Sequence, residues 1–220
     1  MKKANIPILV IIACLVMGVV DAIIQPGYIV KSVIKIVMFL LIPFLYSFFA
    51  KDFSIKKLFK ADKKGFLFAL VLGIIIYVII LGAYFTFKNV FDFSGLTSSL
   101  NETTGVNKNN FLWVSIYISF INSLLEEFFF RGFAFIILKQ VVSKGFAYIF
   151  SSALFALYHI AMMIGWFGVP VILISLAGLF AGGMIFNRFD DRRDNIILSW
   201  LVHMFANFSI NTIGFILFNL

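Results

Sequence analysis

Apolar residues run along the chain in seven long stretches, at 6–24, 31–50, 66–87, 111–138, 145–165, 168–186 and 196–219. Most approach or exceed the roughly 20 residues that carry a helix across the hydrocarbon core. None alternates as a lipid-facing β-strand would, so the stretches predict transmembrane helices. The breaks are polar: Gln25-Pro26-Gly27, a lysine-rich loop at 51–64, an Asn/Ser/Thr-rich segment at 88–110, Lys139 to Lys144, Gly165 to Gly168, and Asn187 to Asn195. The pattern predicts an all-α, polytopic membrane bundle of about seven helices forming one membrane domain, 1–220. It divides into a three-helix N-terminal part, 1–110, and a second part, 111–219. The first stretch follows Lys2 and Lys3 and could be a signal peptide. Its apolar run continues well past Cys14 to Ile24, which favours an uncleaved helix.

Composition sharpens this picture. The 220 residues are 62% hydrophobic and 13% charged, far from the balance of a soluble domain. One cysteine excludes an intramolecular disulfide framework. The formal charge of +8 could signal nucleic-acid binding, but its distribution points to topology. Lys2, Lys3, the six lysines of 51–64, Lys139, Lys144, Arg188, Arg192 and Arg193 fall on one side of the predicted membrane. Lys31, Lys35, Lys88 and Lys108 fall on the other. This asymmetry predicts a cytoplasmic N-terminus and no nucleic-acid partner. Ile55, Leu58 and Phe59 recur among the lysines as in a short helix lying on an anionic leaflet. Gly178 and Gly182 form a GxxxG pattern that predicts close helix packing.

Ionisable residues inside a span are costly, about 2.5–3.5 kcal/mol each at mid-bilayer on insertion scales, and so point to function. Here they are Asp21 near a span end, Glu126, Glu127 and Arg131 on the fourth stretch, and the chain's two histidines, His159 and His203. Glu127 and Arg131 are four residues apart and can pair on one helix face. Glu126 points about 100° away, on the stripe of Asn122, where its charge should be less compensated. His203 and Asn207, and Phe155 and His159, share the four-residue spacing. A base, a place for water and donors toward an oxyanion are what hydrolysis requires. At that depth they also require a polar opening toward the cytoplasm.

Glu126-Glu127-Phe-Phe-Phe-Arg131, Phe155 to His159 and His203 to Asn207 read EExxxR, FxxxH and HxxxN, in order, on three separate helices. In this the chain resembles the CPBP family of CAAX proteases and bacteriocin-processing intramembrane endopeptidases over residues 111–219. The resemblance implies hydrolysis of a peptide bond in a membrane-associated peptide or protein, and makes 111–219 the catalytic core. Glu126 and His159 would activate a water, His203 and Asn207 would stabilise the oxyanion, and Glu127, Arg131 and Phe155 would support the site. The cofactor is left open. A site without metal is preferred, with zinc on Glu126, His159 and His203 as the alternative.

Fourteen lysines against four arginines, with abundant Ile, Phe and Asn, suggest an AT-rich bacterial genome. A bacterial plasma membrane and a bacterial substrate, such as a bacteriocin or pheromone precursor, are therefore expected. The alternative function is a self-immunity or regulatory membrane protein that binds without turnover. A transporter is a weaker reading, since no internal repeat supports alternating access.

Overall fold

The computed structural model describes residues 5–49, 55–60 and 63–220. Lys2, Lys3 and Lys51, counted above for orientation, lie outside these. Among the described residues there are nine helices and no strand. They are α1 (Ile6–Ile24), α2 (Tyr28–Phe48), α3 (Ile55–Leu58), α4 (Lys63–Phe87), α5 (Leu96–Thr104), α6 (111–140), α7 (Lys144–Met163), α8 (Val169–Asp191) and α9 (Ile197–Phe218). Six of them, α1, α2, α4, α7, α8 and α9, are long and apolar enough to cross a membrane. The protein is thus an all-α, multi-pass membrane protein. Helix α6 matches them in length but carries Glu126, Glu127 and Arg131.

The bundle is held by aromatic packing. Phe39 of α2 stacks on Phe129 of α6, with centroids 4.2 Å apart and planes 3° apart, and meets Phe130 edge-on. Tyr46 and Phe133 repeat the contact further along. Such pairs contribute about 0.5–1.5 kcal/mol each beyond buried area, and they set the rotation of α2 against α6. Helix α9 is fastened to α6 by amide and indole donors. Trp200 donates to Ser123 Oγ, Asn207 to the Ile118 carbonyl, and Asn211 to the Ser115 carbonyl and Ser119 Oγ, at 2.9–3.2 Å. On its other side α9 meets α4 through Ser209 Oγ, which donates to the Tyr77 carbonyl.

Long parts of α6 are more widely wound than an α-helix, with i→i+5 bonding at Ile118–Asn122 and Glu127–Ile137. Such windings are frequent at functional sites. Here they flank Glu126.

Several expectations are corrected. Lys31 and Lys35 are not loop charges, because α2 begins at Tyr28 and carries both within the span. Lys31 pairs with Asp21 at 2.6 Å, and Asp21 is buried. Helix α8 continues to Asp191, which brings Asn187 and Asp190 out of the predicted loop and into the interior. A Cβ at Gly178 or Gly182 would meet nothing, whereas one at Gly183 would lie 3.0 Å from Ser152 Cα. The close approach of α8 to α7 is therefore one residue beyond the GxxxG pattern. Helix α3 docks on protein, with Leu58 buried, its carbonyl accepting from the Ile196 amide, and Phe59 facing Phe128.

Those contacts join the 55–60 segment to the α8–α9 connection, and Lys139 and Lys144 join the same end through Asp191. The described basic residues assigned to one side of the membrane thus gather at one end of the bundle. At the opposite end Lys108 Nζ donates to the Asn219 carbonyl.

Candidate functional site

Glu126, on α6, is the point on which the site converges. Adjacent glutamates on a helix face different neighbours, and here each finds its own. Glu126 faces α2 and α7, while Glu127 faces α8 and α9. His203 of α9 lies between them, its Nδ1 2.8 Å from Glu127 Oε1 and its Nε2 3.6 Å from Glu126 Oε2. His159 of α7 approaches from the other side, with Nε2 3.9 Å from the same Oε2.

The second nitrogen of each imidazole decides what the first can do. His159 Nδ1 is 2.6 Å from the Phe155 carbonyl, which can only accept, so Nδ1 carries the proton. This bond forms where α7 is interrupted at His159, between its segments Lys144–Tyr158 and Ile160–Met163. His203 Nδ1 donates in the same way to the Glu127 carboxylate. In the neutral state both Nε2 atoms then present lone pairs toward Glu126 Oε2. The separations of 3.6 and 3.9 Å are too long for direct hydrogen bonds.

Glu127 and Arg131 form the expected pair at 3.3 Å, a charge contact rather than a directed hydrogen bond. The Arg131 guanidinium is fully buried, 4.0 Å from the Phe155 ring centroid and 5.2 Å from that of Phe186. Phe155 thus covers Arg131 with its ring and orients His159 with its carbonyl. Asp190, buried beside this group, accepts from Ser199 Oγ at 2.7 Å. Asn207 lies one turn beyond His203, and one of its N–H groups is committed to the Ile118 carbonyl, leaving the other for a ligand.

Lys35 is the residue that sequence reasoning missed. Its ammonium is 2.5 Å from Glu126 Oε1 and 2.5 Å from Asn122 Oδ1, and it lies over the rings of Phe39 and Tyr158 at 5.5 and 5.1 Å. The expectation of a poorly compensated Glu126 is therefore overturned. A lysine seven residues past Tyr28 reads as a loop charge unless the span is begun at Tyr28. The four-residue offset from Lys35 to Phe39, on the face that stacks on α6, was the available signal.

By donor type, two Nε2 atoms and a carboxylate oxygen fit a divalent metal, and both Nδ1 protons are held as in metal-ligating histidines. Against this, the Lys35 ammonium already sits on the carboxylate. Among the described residues, no three His, Cys, Asp or Glu side chains are spaced to hold an ion as they stand. The water route expected from the cytoplasmic side has no counterpart in the cavity of about 230 Å³ lined by Gly27, Tyr28, Thr104, Gly105 and Asn110, which lies at the other end of the bundle.

Residues 108–209 match the family model described as type II CAAX prenyl endopeptidase Rce1-like. The match includes Glu126, Glu127, Arg131, His159, His203 and Asn207 and excludes Lys35. No curated protein and no solved structure matches the chain.

Proposed function

We propose, from the match of residues 108–209 to the Rce1-like family of type II CAAX prenyl endopeptidases, that the chain hydrolyses a peptide bond with a water activated by Glu126 and His159. The observation that carries the reading is the convergence of Glu126 Oε2 with the Nε2 atoms of His159 and His203.

In this mechanism a water between Glu126 and His159 gives its proton to the Glu126 carboxylate as its oxygen attacks the substrate carbonyl. The developing oxyanion takes hydrogen bonds from Asn207 and His203. Since His203 Nδ1–H is already donated to Glu127, His203 offers an N–H from Nε2 in this step only as the imidazolium. Collapse of the tetrahedral intermediate breaks the C–N bond, and the proton on Glu126 passes to the leaving amine. Glu127, Arg131 and Phe155 keep the two imidazoles aimed.

We take the reaction to proceed without a metal, because Lys35 already supplies positive charge against Glu126. Were zinc bound, Glu126, His159 and His203 would hold it, and it would supply Lewis-acid activation of the water. The substrate in this reading is a bacterial peptide, such as a bacteriocin or pheromone precursor, or another membrane protein, met at the plasma membrane. The test is cleavage of a peptide library by the reconstituted protein, parent against His159→Ala, with and without a chelator. Loss on substitution with no effect of chelator is expected. A His159→Ala protein that cleaves like the parent overturns the mechanism, and chelator-sensitive parental activity overturns its metal-free form.

A further inference from the structure

The two oxygens of Glu126 have different surroundings. Oε2 faces the imidazoles at 3.6 and 3.9 Å. Oε1 accepts from Lys35 Nζ at 2.5 Å and from Asn122 Nδ2 at 3.1 Å, while Lys35 also donates to Asn122 Oδ1. The result is a closed triangle around one oxygen. A carboxylate held at one oxygen by two donors cannot rotate freely, so the free oxygen keeps its aim. The side chain of Lys35 is only 4% exposed and that of Glu126 2%, so little solvent competes for this contact.

Lys35 belongs to α2, outside the segment that carries the family match. Its place is set by packing: one turn along α2, Phe39 stacks on Phe129 of α6, and the Tyr158 ring, beside that of Phe39, lies 5.1 Å from the ammonium. Helix α2 therefore reaches the centre of the site rather than merely surrounding it.

We propose that Lys35, together with Asn122, is a positioning residue of the hydrolytic site, pinning Glu126 Oε1 so that Oε2 is the oxygen presented to water and to both histidines. The inference rests on the proposed role of Glu126 as the base. Lys35 does not touch substrate in this account and acts through Glu126, so its loss lowers turnover and leaves substrate binding intact.

The experiment measures kcat and KM for peptide cleavage in proteoliposomes for the parent, Glu126→Gln, Lys35→Gln and Asn122→Leu. Lys35→Gln keeps a hydrogen-bond donor on a side chain one bond shorter while removing the charge. Its kcat should fall on the order of 10²-fold, the scale of misplacing a reacting group by an ångström, with KM within about twofold of the parent. Asn122→Leu should shift kcat in the same direction by less, again at unchanged KM. Parental kcat in Lys35→Gln, or a loss confined to KM, overturns the inference. If Lys35→Gln does not fold, Asn122→Leu decides: lower kcat at unchanged KM supports it and parental kcat overturns it. Full activity in Glu126→Gln would instead overturn the underlying reading, so the two failures are distinguishable.

Discussion

His203 Nδ1 lies 2.8 Å from Glu127 Oε1, and this contact turns the other imidazole nitrogen toward Glu126 Oε2. The two adjacent glutamates thereby divide the work: one faces the reaction, the other orients a histidine and holds its proton. Substituting Glu127 by Gln keeps an oxygen that can accept from Nδ1 but removes the carboxylate charge opposite the ring. We expect Glu127→Gln to lower kcat by about 10-fold, below the roughly 10²–10⁴-fold of a general acid–base contribution and less than Glu126→Gln does. Initial rates at saturating peptide measure this. A Glu127→Gln enzyme slower than Glu126→Gln would reverse the assignment.

The Lys35–Glu126 pair makes a stability prediction independent of catalysis. Removing one member of a buried pair strands the other charge, at a cost of about 3–5 kcal/mol, whereas replacing both with apolar residues is often neutral or better. Lys35→Met and Glu126→Leu should each lower the thermal midpoint in detergent, and the double variant should recover most of the loss. Additive losses in the double variant would mean that the two residues are not coupled.

Gly183 on α8 faces the Ser152 backbone of α7, where an added Cβ would lie 3.0 Å from both Ser152 Cα and Cβ. Backbone cannot step aside as a flexible side chain can. Gly183→Ala should therefore destabilise by about 1–3 kcal/mol, the cost of overpacking, and loosen α7, which carries His159. Gly182→Ala, which meets open space, should be neutral or slightly stabilising through helix propensity. Thermal unfolding of the two alanine variants separates them.

Hydropathy located the long helices because lipid demands long apolar runs whatever the tertiary contacts. The three motifs located Glu126, His159 and His203 because charge in a span is rare enough to be noticed. Lys35 was hidden for the opposite reason: near the start of a span, a lysine and a loop boundary look alike to hydropathy. Asp190 was obscured in the same way by the basic and acidic residues that follow it. The contact at Gly183 was not legible because helix rotation depends on which faces meet, and one residue of rotation separates Gly182 from Gly183. The wide winding of α6 has no sequence signal we can identify.

At the basic end of the bundle, Lys139 pairs with Asp191 at 3.0 Å and Asp194 at 2.6 Å. Partial burial opposes its charge, but hydrogen bonds and attraction from the two carboxylates outweigh that and raise its pKa above the ordinary lysine value. A group raised on folding stabilises fully below its unfolded pKa and loses that contribution as pH rises through the folded one. Lys139→Met should therefore lower the thermal midpoint by an amount that stays constant from neutral pH to about pH 9. The difference should shrink only above the usual lysine range, near pH 10.4. A difference that disappears at pH 7 would contradict the pairing.

The central claim is that Glu126 is the base that activates water. It is tested most directly by the single-turnover rate of peptide cleavage by purified Glu126→Gln, confirmed folded by its thermal midpoint, against the parent. The account predicts a rate lower by about 10²–10⁴-fold, the contribution of a general base, at unchanged peptide affinity. A folded Glu126→Gln protein that cleaves as fast as the parent would contradict it.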